Sequence, residues 1–135
     1  MKIIVSLILL LSLIALTFSL IHLQKEMQVV EEKILPASVN ITMNNIGFDL
    51  NSSALTFGKI IPYGDSTRNV IFQNNYEFPI IVEIESEGEI KKLISFEKEF
   101  NFEINETKKI PFFIKAESTE NFYEGIIKFK IIRND

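Results

Sequence analysis

The sequence contains no cysteine. Disulfides, thiolate metal sites and a cysteine nucleophile are therefore excluded, and any folded part must be held by packing alone. Histidine occurs once, as His22, inside an uncharged stretch. Beyond that stretch neither a Ser-His-Asp triad nor a histidine zinc site can be assembled. Tryptophan is absent, and the aromatic residues are mostly phenylalanine, twelve against three tyrosines. From residue 34 onward, 11 Lys and Arg stand against 15 Asp and Glu. An acidic domain of this kind has no electrostatic footprint for nucleic acid or anionic lipid. Phosphate loops, dinucleotide fingerprints and zincin motifs are missing, and no spacing sets two carboxylates across a cleft. The expectation is a non-catalytic protein with no cofactor and no metal. Secreted proteins that fold without disulfides are common in prokaryotes, and the composition leans that way.

What the chain does have begins at its N-terminus. After Met1 and Lys2, residues 3–21 carry no charge, and Leu23 extends the apolar run. As a helix, residues 3–23 span roughly 31 Å at about 1.5 Å per residue, which matches a bilayer core of about 30 Å. A cleaved signal peptide has a shorter apolar region, usually about 7–15 residues, that ends at a small-x-small site. Here the candidates, Ala15-Leu16-Thr17 and Thr17-Phe18-Ser19, lie inside the run. The length favours an uncleaved single-pass anchor in the cytoplasmic membrane; if cleavage does occur, the product is secreted. Lys2 and the amino terminus precede the run, and no positive excess follows it, so the positive-inside rule sets the C-terminal part outside the cytoplasm. Three glycosylation sequons, at Asn40, Asn51 and Asn105, agree with that side.

Leu20, Leu23, Met27, Val30 and Ile34 follow a 3-4 spacing, with polar residues between them. The spacing predicts a helix that leaves the bilayer and runs to about Leu35, where Pro36 stops it. Leu23, Met27, Val30 and Ile34 would then form a short seam, either for self-association or for packing on the chain's own domain or on lipid. A coiled coil needs more than the two heptads available. Residues 1–35 are accordingly assigned to anchor and stalk, and residues 36–135 to one domain.

From residue 38 the period changes to two. Apolar residues alternate at Val39, Ile41 and Met43, and at Ile46, Phe48 and Leu50. They recur at Leu55 and Phe57, at Val70 and Phe72, and at Ile80, Val82 and Ile84. Phe96, Phe100, Phe102 and Ile104 share a parity, followed by Ile110, Phe112 and Ile114, then Tyr123, Gly125, Ile127, Phe129 and Ile131. Turn residues fall between these runs, at 62–65, 74–75, 87–88, 105–106 and 117–121. Seven or so short strands at this spacing predict an all-β, two-sheet antiparallel sandwich. Glu83, Glu85, Glu87 and Glu89 recur every second residue, which suggests either a cation strip or, far more often in such sheets, a solvated outer face. The segment Val39–Leu50 is expected to be the first strand of its own sandwich; the alternative is pairing in trans with a neighbouring subunit.

The stretch Leu55-Thr56-Phe57-Gly58, then Ile61-Pro62-Tyr63-Gly64-Asp65-Ser66-Thr67, then Val70–Asn75 and Phe78-Pro79-Ile80 resembles the opening of hydin-like and related immunoglobulin-like modules. The closing Asn105-Glu106-Thr107, Lys108–Lys115 and Phe122–Phe129 resemble their last turn and last two strands, with Asn105-Glu106 where such modules carry Pro-Gly. The resemblance covers about residues 54–133. It implies an immunoglobulin-like sandwich in which Gly58 and Gly64 supply backbone freedom, and it implies no chemistry. The functional expectation is a membrane-anchored envelope protein that presents this domain to an unidentified protein partner. The alternative is a subunit of a surface filament or envelope assembly, with a homo-oligomer as one form of it, built by strand addition or by association of the juxtamembrane helix.

Overall fold

The structure, a computed structural model, describes residues 2–43 and 53–134, leaving aside the side chains of residues 2, 3 and 24–27. It consists of one N-terminal apolar helix and two β-sheets. Helix α1 spans Lys2–Met27, and the eight strands are β1 Val29–Ile41, β2 Leu55–Ile60, β3 Asp65–Gln73, β4 Ile80–Gly88, β5 Ile94–Ser95, β6 Glu99–Phe102, β7 Thr107–Lys115 and β8 Asn121–Arg133. One sheet has the order β2-β1-β8-β4-β6 and the other β3-β7-β5.

The helix ends eight residues earlier than its apolar spacing predicts. After Gln28 the chain enters β1, and Val29–Leu35 pair with β8 from Ile132 to Ile127. The stretch carries Val29, Val30 and Ile34, which favour strands, and the 13-residue β8 offers it a complete antiparallel ladder. Long-range pairing thus overrides the local 3-4 rhythm, and the domain begins at Val29 rather than Pro36. Pro36 does not stop a helix. It lies inside β1, just before β2 joins at Ala37, where the strand is still an edge that tolerates proline.

Two further expectations change. The pair β1–β2 is parallel, so the sandwich is not antiparallel throughout. The run from Phe96 to Ile104 is not one strand: only Glu99–Phe102 of it form β6 in the first sheet, and residues 96–98 carry the chain there from β5 in the second sheet. Phe102 is buried, whereas Ile104 is half exposed in the turn beyond. The strand character of Val39–Ile41 is present, and these residues pair in cis on both sides, with β8 and with β2. Ile46, Phe48, Leu50 and the sequon at Asn51 lie outside the described residues.

Elsewhere the period-two alternation forms the core. Val39, Ile41, Phe57, Ile80, Val82, Ile84, Ile110, Phe112, Ile114, Ile127 and Ile131 are all buried between the sheets. Phe112 and Phe129 meet edge to face at 6.1 Å, and Phe72 packs on Phe102 at 5.2 Å. Gly58 (φ 72) makes the bulge that shifts β2 against β1 between Ser38 and Asn40. At the next turn the left-handed residue is Tyr63 (φ 61), not Gly64. Gly88 and Gly125 face each other where β4 meets β8. A Cβ on Gly125 would lie 2.1 Å from the Glu87 carbonyl oxygen, so only glycine allows this approach.

Candidate functional site

The apolar run Ile4–Leu23 is exposed throughout and is long and apolar enough to cross a membrane. One residue, Gln28, separates α1 from β1, and its carbonyl accepts the Arg133 N–H at 3.0 Å. The end of the sandwich nearest the helix therefore holds the start of β1, the end of β8 and the loop that leads into β4. Asn74 organises this end. It is buried, and its side-chain amide donates to the carbonyls of Phe78 and Glu103 while its side-chain oxygen accepts the Tyr76 N–H, each at 2.9 Å. Tyr76 stacks on Phe78, and the Arg133 guanidinium lies 4.5 Å from the Phe78 ring centre. The Tyr76 hydroxyl donates to the Glu31 carboxylate, and that hydrogen bond, with some burial, pushes the phenol up to about 12.

The outer face of the five-stranded sheet carries Glu83, Glu85 and Glu87 on one side of β4, as their spacing predicts; Glu89 lies past Gly88 in a 3-10 turn. Their neighbours on β8 are cations. Glu83 stands opposite Lys130, which in turn stands opposite Glu32 of β1, and Glu85 stands opposite Lys128. The Lys128 ammonium sits 2.7 Å from the Glu87 carboxylate, and this hydrogen bond raises its pKa. The strip is thus a cross-strand Glu-Lys-Glu ladder. Among the described residues, no three His, Asp or Glu converge in a way that would hold a metal ion.

Two surfaces differ from that charged face. At the end far from α1, Met43, Ile61, Tyr63 and Phe122 are all exposed, Tyr63 at 77% and Met43 at 69%. They are brought together by Thr42 donating to the Ile60 carbonyl, Tyr63 donating to that of Glu117, and Met43 N–H donating to the Glu120 carboxylate at 3.3 Å. Below Phe122 a groove of about 430 Å³ continues over Pro36, Ser38, Ala54 and Ile126. The other surface is the open flank between β1 and β3. β2 covers β1 only from Ala37 onward, so among the described residues no strand pairs with Val29–Pro36 on the side away from β8. A groove of about 450 Å³ runs along this flank, lined by Lys33, Ile34, Leu35, Val70, Ile71 and Phe72 among others.

The residues singled out from sequence are dispersed. Leu23 is on α1, Met27 is its last residue, and Val30 and Ile34 are on β1. The four share no helical face, so the predicted helical seam does not form. Asn40 is half-buried near the end of β1, between Phe122 and Lys59 on its neighbours. Asn105 is exposed at the tip of the 103–106 turn, in left-handed backbone (φ 61). Neither the distal apolar tip nor the one-sided half of β1 was visible from the sequence. Both depend on which strands become neighbours.

The class that fold and surface define is a two-sheet β domain joined directly to an apolar helix. The chain matches no family model, no curated protein and no solved structure.

Proposed function

We propose that the chain is a non-catalytic, membrane-anchored envelope protein whose α1 stays in the cytoplasmic membrane and whose immunoglobulin-like domain binds a protein partner outside the cytoplasm. The observation that carries this reading is the distal tip. Met43, Ile61, Tyr63 and Phe122 are grouped at the end of the sandwich farthest from α1. Exposed aromatic and Met side chains rimmed by charge are the usual core of a protein interface. Glu117 and Glu120 accept hydrogen bonds from Tyr63 and Met43 at the tip, so the partner surface is apolar with basic groups to meet them. The positive-inside asymmetry supports the orientation, and the polar ladder on the sheet face supports a solvated setting.

The test uses the full chain with Tyr63→Cys as its only cysteine. An impermeant maleimide should label it in intact cells, and the membrane complex that contains it should shrink when Tyr63 and Phe122 are both replaced by Ser. Labelling only after permeabilisation, or a complex unchanged by the double substitution, would contradict the reading.

A second reading, self-assembly at the envelope, is favoured by one observation: among the described residues, 29–36 of β1 are paired on one side only.

A further inference from the structure

We propose that the end of the sandwich nearest α1 is a foot that rests in the headgroup layer of the bilayer crossed by α1, with Phe78, Ile104 and Arg133 as its contacts. The proposal rests on the reading of α1 as an uncleaved anchor and does not depend on the partner at the distal tip.

Height brings this end to the lipid. The apolar run ends at Leu23 and the helix at Met27. Residues 24–27 rise about 6 Å, at about 1.5 Å each. A headgroup layer is about 5–7 Å deep, which is half the difference between a whole bilayer of about 40–45 Å and its hydrocarbon core of about 30 Å. Gln28 therefore stands at the outer limit of the headgroups. Its carbonyl accepts the Arg133 N–H, Arg133 stands opposite Ile80, and Ile80 stands opposite Phe102. These residues make one row across β1, β8, β4 and β6. Loop 74–79 and turn 103–106 lie beyond that row, on the side from which α1 enters, so they reach back toward the bilayer.

One buried residue holds both loops. The Asn74 side-chain amide donates to the Phe78 and Glu103 carbonyls, and the Asn74 N–H donates to the Glu106 carbonyl, each at 2.9 Å. The Asn134 N–H donates to the Pro79 carbonyl at 3.0 Å. The loops and the end of β8 are thus tied into one plate. What the plate presents suits a membrane–water interface. Ile104 is 49% exposed at the tip of its turn. The Phe78 ring stacks on Tyr76 at 5.3 Å, and the Arg133 guanidinium lies over its other neighbourhood at 4.5 Å from the ring centre. Aromatic rings sit at headgroup level, and a guanidinium matches lipid phosphate with forked donors. The Tyr76 hydroxyl is already bonded to Glu31, so Tyr76 braces Phe78 and makes no lipid contact of its own. Glu31, Glu77, Glu103 and Glu106 at this end outnumber Lys108 and Arg133, so the attraction is to the interface itself and not to anionic lipid. Turn 103–106 follows β6, three strand spacings from β1, or about 14 Å at about 4.8 Å each. A domain supported at α1 and again at this turn does not swing freely about Gln28. The foot thereby fixes the height of the distal tip, about 40 Å away along β1 at about 3.3 Å per residue.

The absence of tryptophan makes the test clean, because one introduced tryptophan reports alone. Ile104→Trp at the foot and Tyr63→Trp at the distal tip are compared in the full chain in phosphatidylcholine liposomes that carry a headgroup spin-labelled lipid as quencher. Ile104→Trp should be quenched at least about threefold more than Tyr63→Trp, as expected of a ring at headgroup level. Phe78→Trp should behave like Ile104→Trp, and Ile104→Asp added to it should lower its quenching about twofold, because a charge is unfavourable at that depth. Phosphatidylglycerol in the liposomes should not strengthen the quenching. Equal quenching at the two ends, in a chain that floats with the liposomes, overturns the foot and leaves the anchor reading intact. A chain that does not float with them overturns both. Quenching that appears only with phosphatidylglycerol overturns the proposal in favour of simple charge attraction. An Ile104→Cys chain that reacts with impermeant maleimide in liposomes but is masked in native membranes overturns it in favour of a protein neighbour at this end.

Discussion

The two halves of β1 belong to one strand and share one partner, β8, yet they obey different rules. From Ala37 to Ile41 the strand lies between β2 and β8, and Ala37, Val39 and Ile41 are buried. From Val29 to Pro36 it has, among the described residues, β8 alone, and its residues are exposed except for the partly covered Val29 and Leu35. The sequence changes character where β2 joins, from Glu-Glu-Lys and a proline to alternating apolar residues. A strand needs neither continuous burial nor continuous pairing to form; one full ladder on one side suffices. The residues it selects are set by the second neighbour.

Substitutions that treat the halves differently should break this comparison if it is wrong. Ile41→Pro removes a backbone donor from a position paired with both β2 and β8 and should cost at least about 3 kcal/mol, enough to threaten folding, whereas Pro36→Thr should be nearly silent in thermal melting. Ile41→Ala leaves a cavity between the sheets and should lower stability by about 3 kcal/mol. Asn74→Ala strips three side-chain hydrogen bonds from the loop that braces the start of β1 through Tyr76, at about 2 kcal/mol, read by denaturant unfolding. Ile34→Ala, on the exposed half, should stay within about 0.5 kcal/mol.

A titration sharpens the same contrast. Tyr76 is held near 12 chiefly by its hydrogen bond to Glu31, a residue of the one-sided half. Its folded pKa lies above the unfolded value near 10, so the stability it contributes is complete below about pH 10 and is lost as pH rises from about 10 to 12. Ultraviolet titration of the tyrosines should show Glu31→Gln bringing Tyr76 back toward the ordinary range.

Much of the β domain was legible from residues 38–135. Parity at Ile80-Val82-Ile84, Ile110-Phe112-Ile114 and Tyr123–Ile131 predicts which side chains enter the core, because a half-buried strand writes its burial directly into its sequence. The one-sided half of β1 writes nothing of the kind. With both faces exposed, Val30 and Ile34 are free to match a helical spacing by chance, and the deciding interaction, pairing with β8, comes from about a hundred residues away. The same holds for the crossing near Phe96, where Phe96 packs on Phe112 in one layer and Phe102 on Phe72. Parity is kept along such a stretch while the sheet changes. Of the surfaces, the Glu-Lys ladder was half legible, since Glu83, Glu85 and Glu87 and the outward Lys128 and Lys130 show in the sequence but the pairing of β4 with β8 that brings them together does not. The distal tip was not legible, because Met43, Ile61 and Tyr63 come from two separate connections and Phe122 from the start of β8.

Residue-resolved amide hydrogen exchange across 29–41, measured on the full chain in dilute detergent, tests the difference between the halves most directly. A strand paired on one side until Pro36 and on both sides after it should exchange quickly at every second amide from Glu31 to Leu35, and slowly at each amide from Ala37 to Ile41. Unbroken protection from Val29 to Leu35, as in a helix continuing from α1, would contradict it.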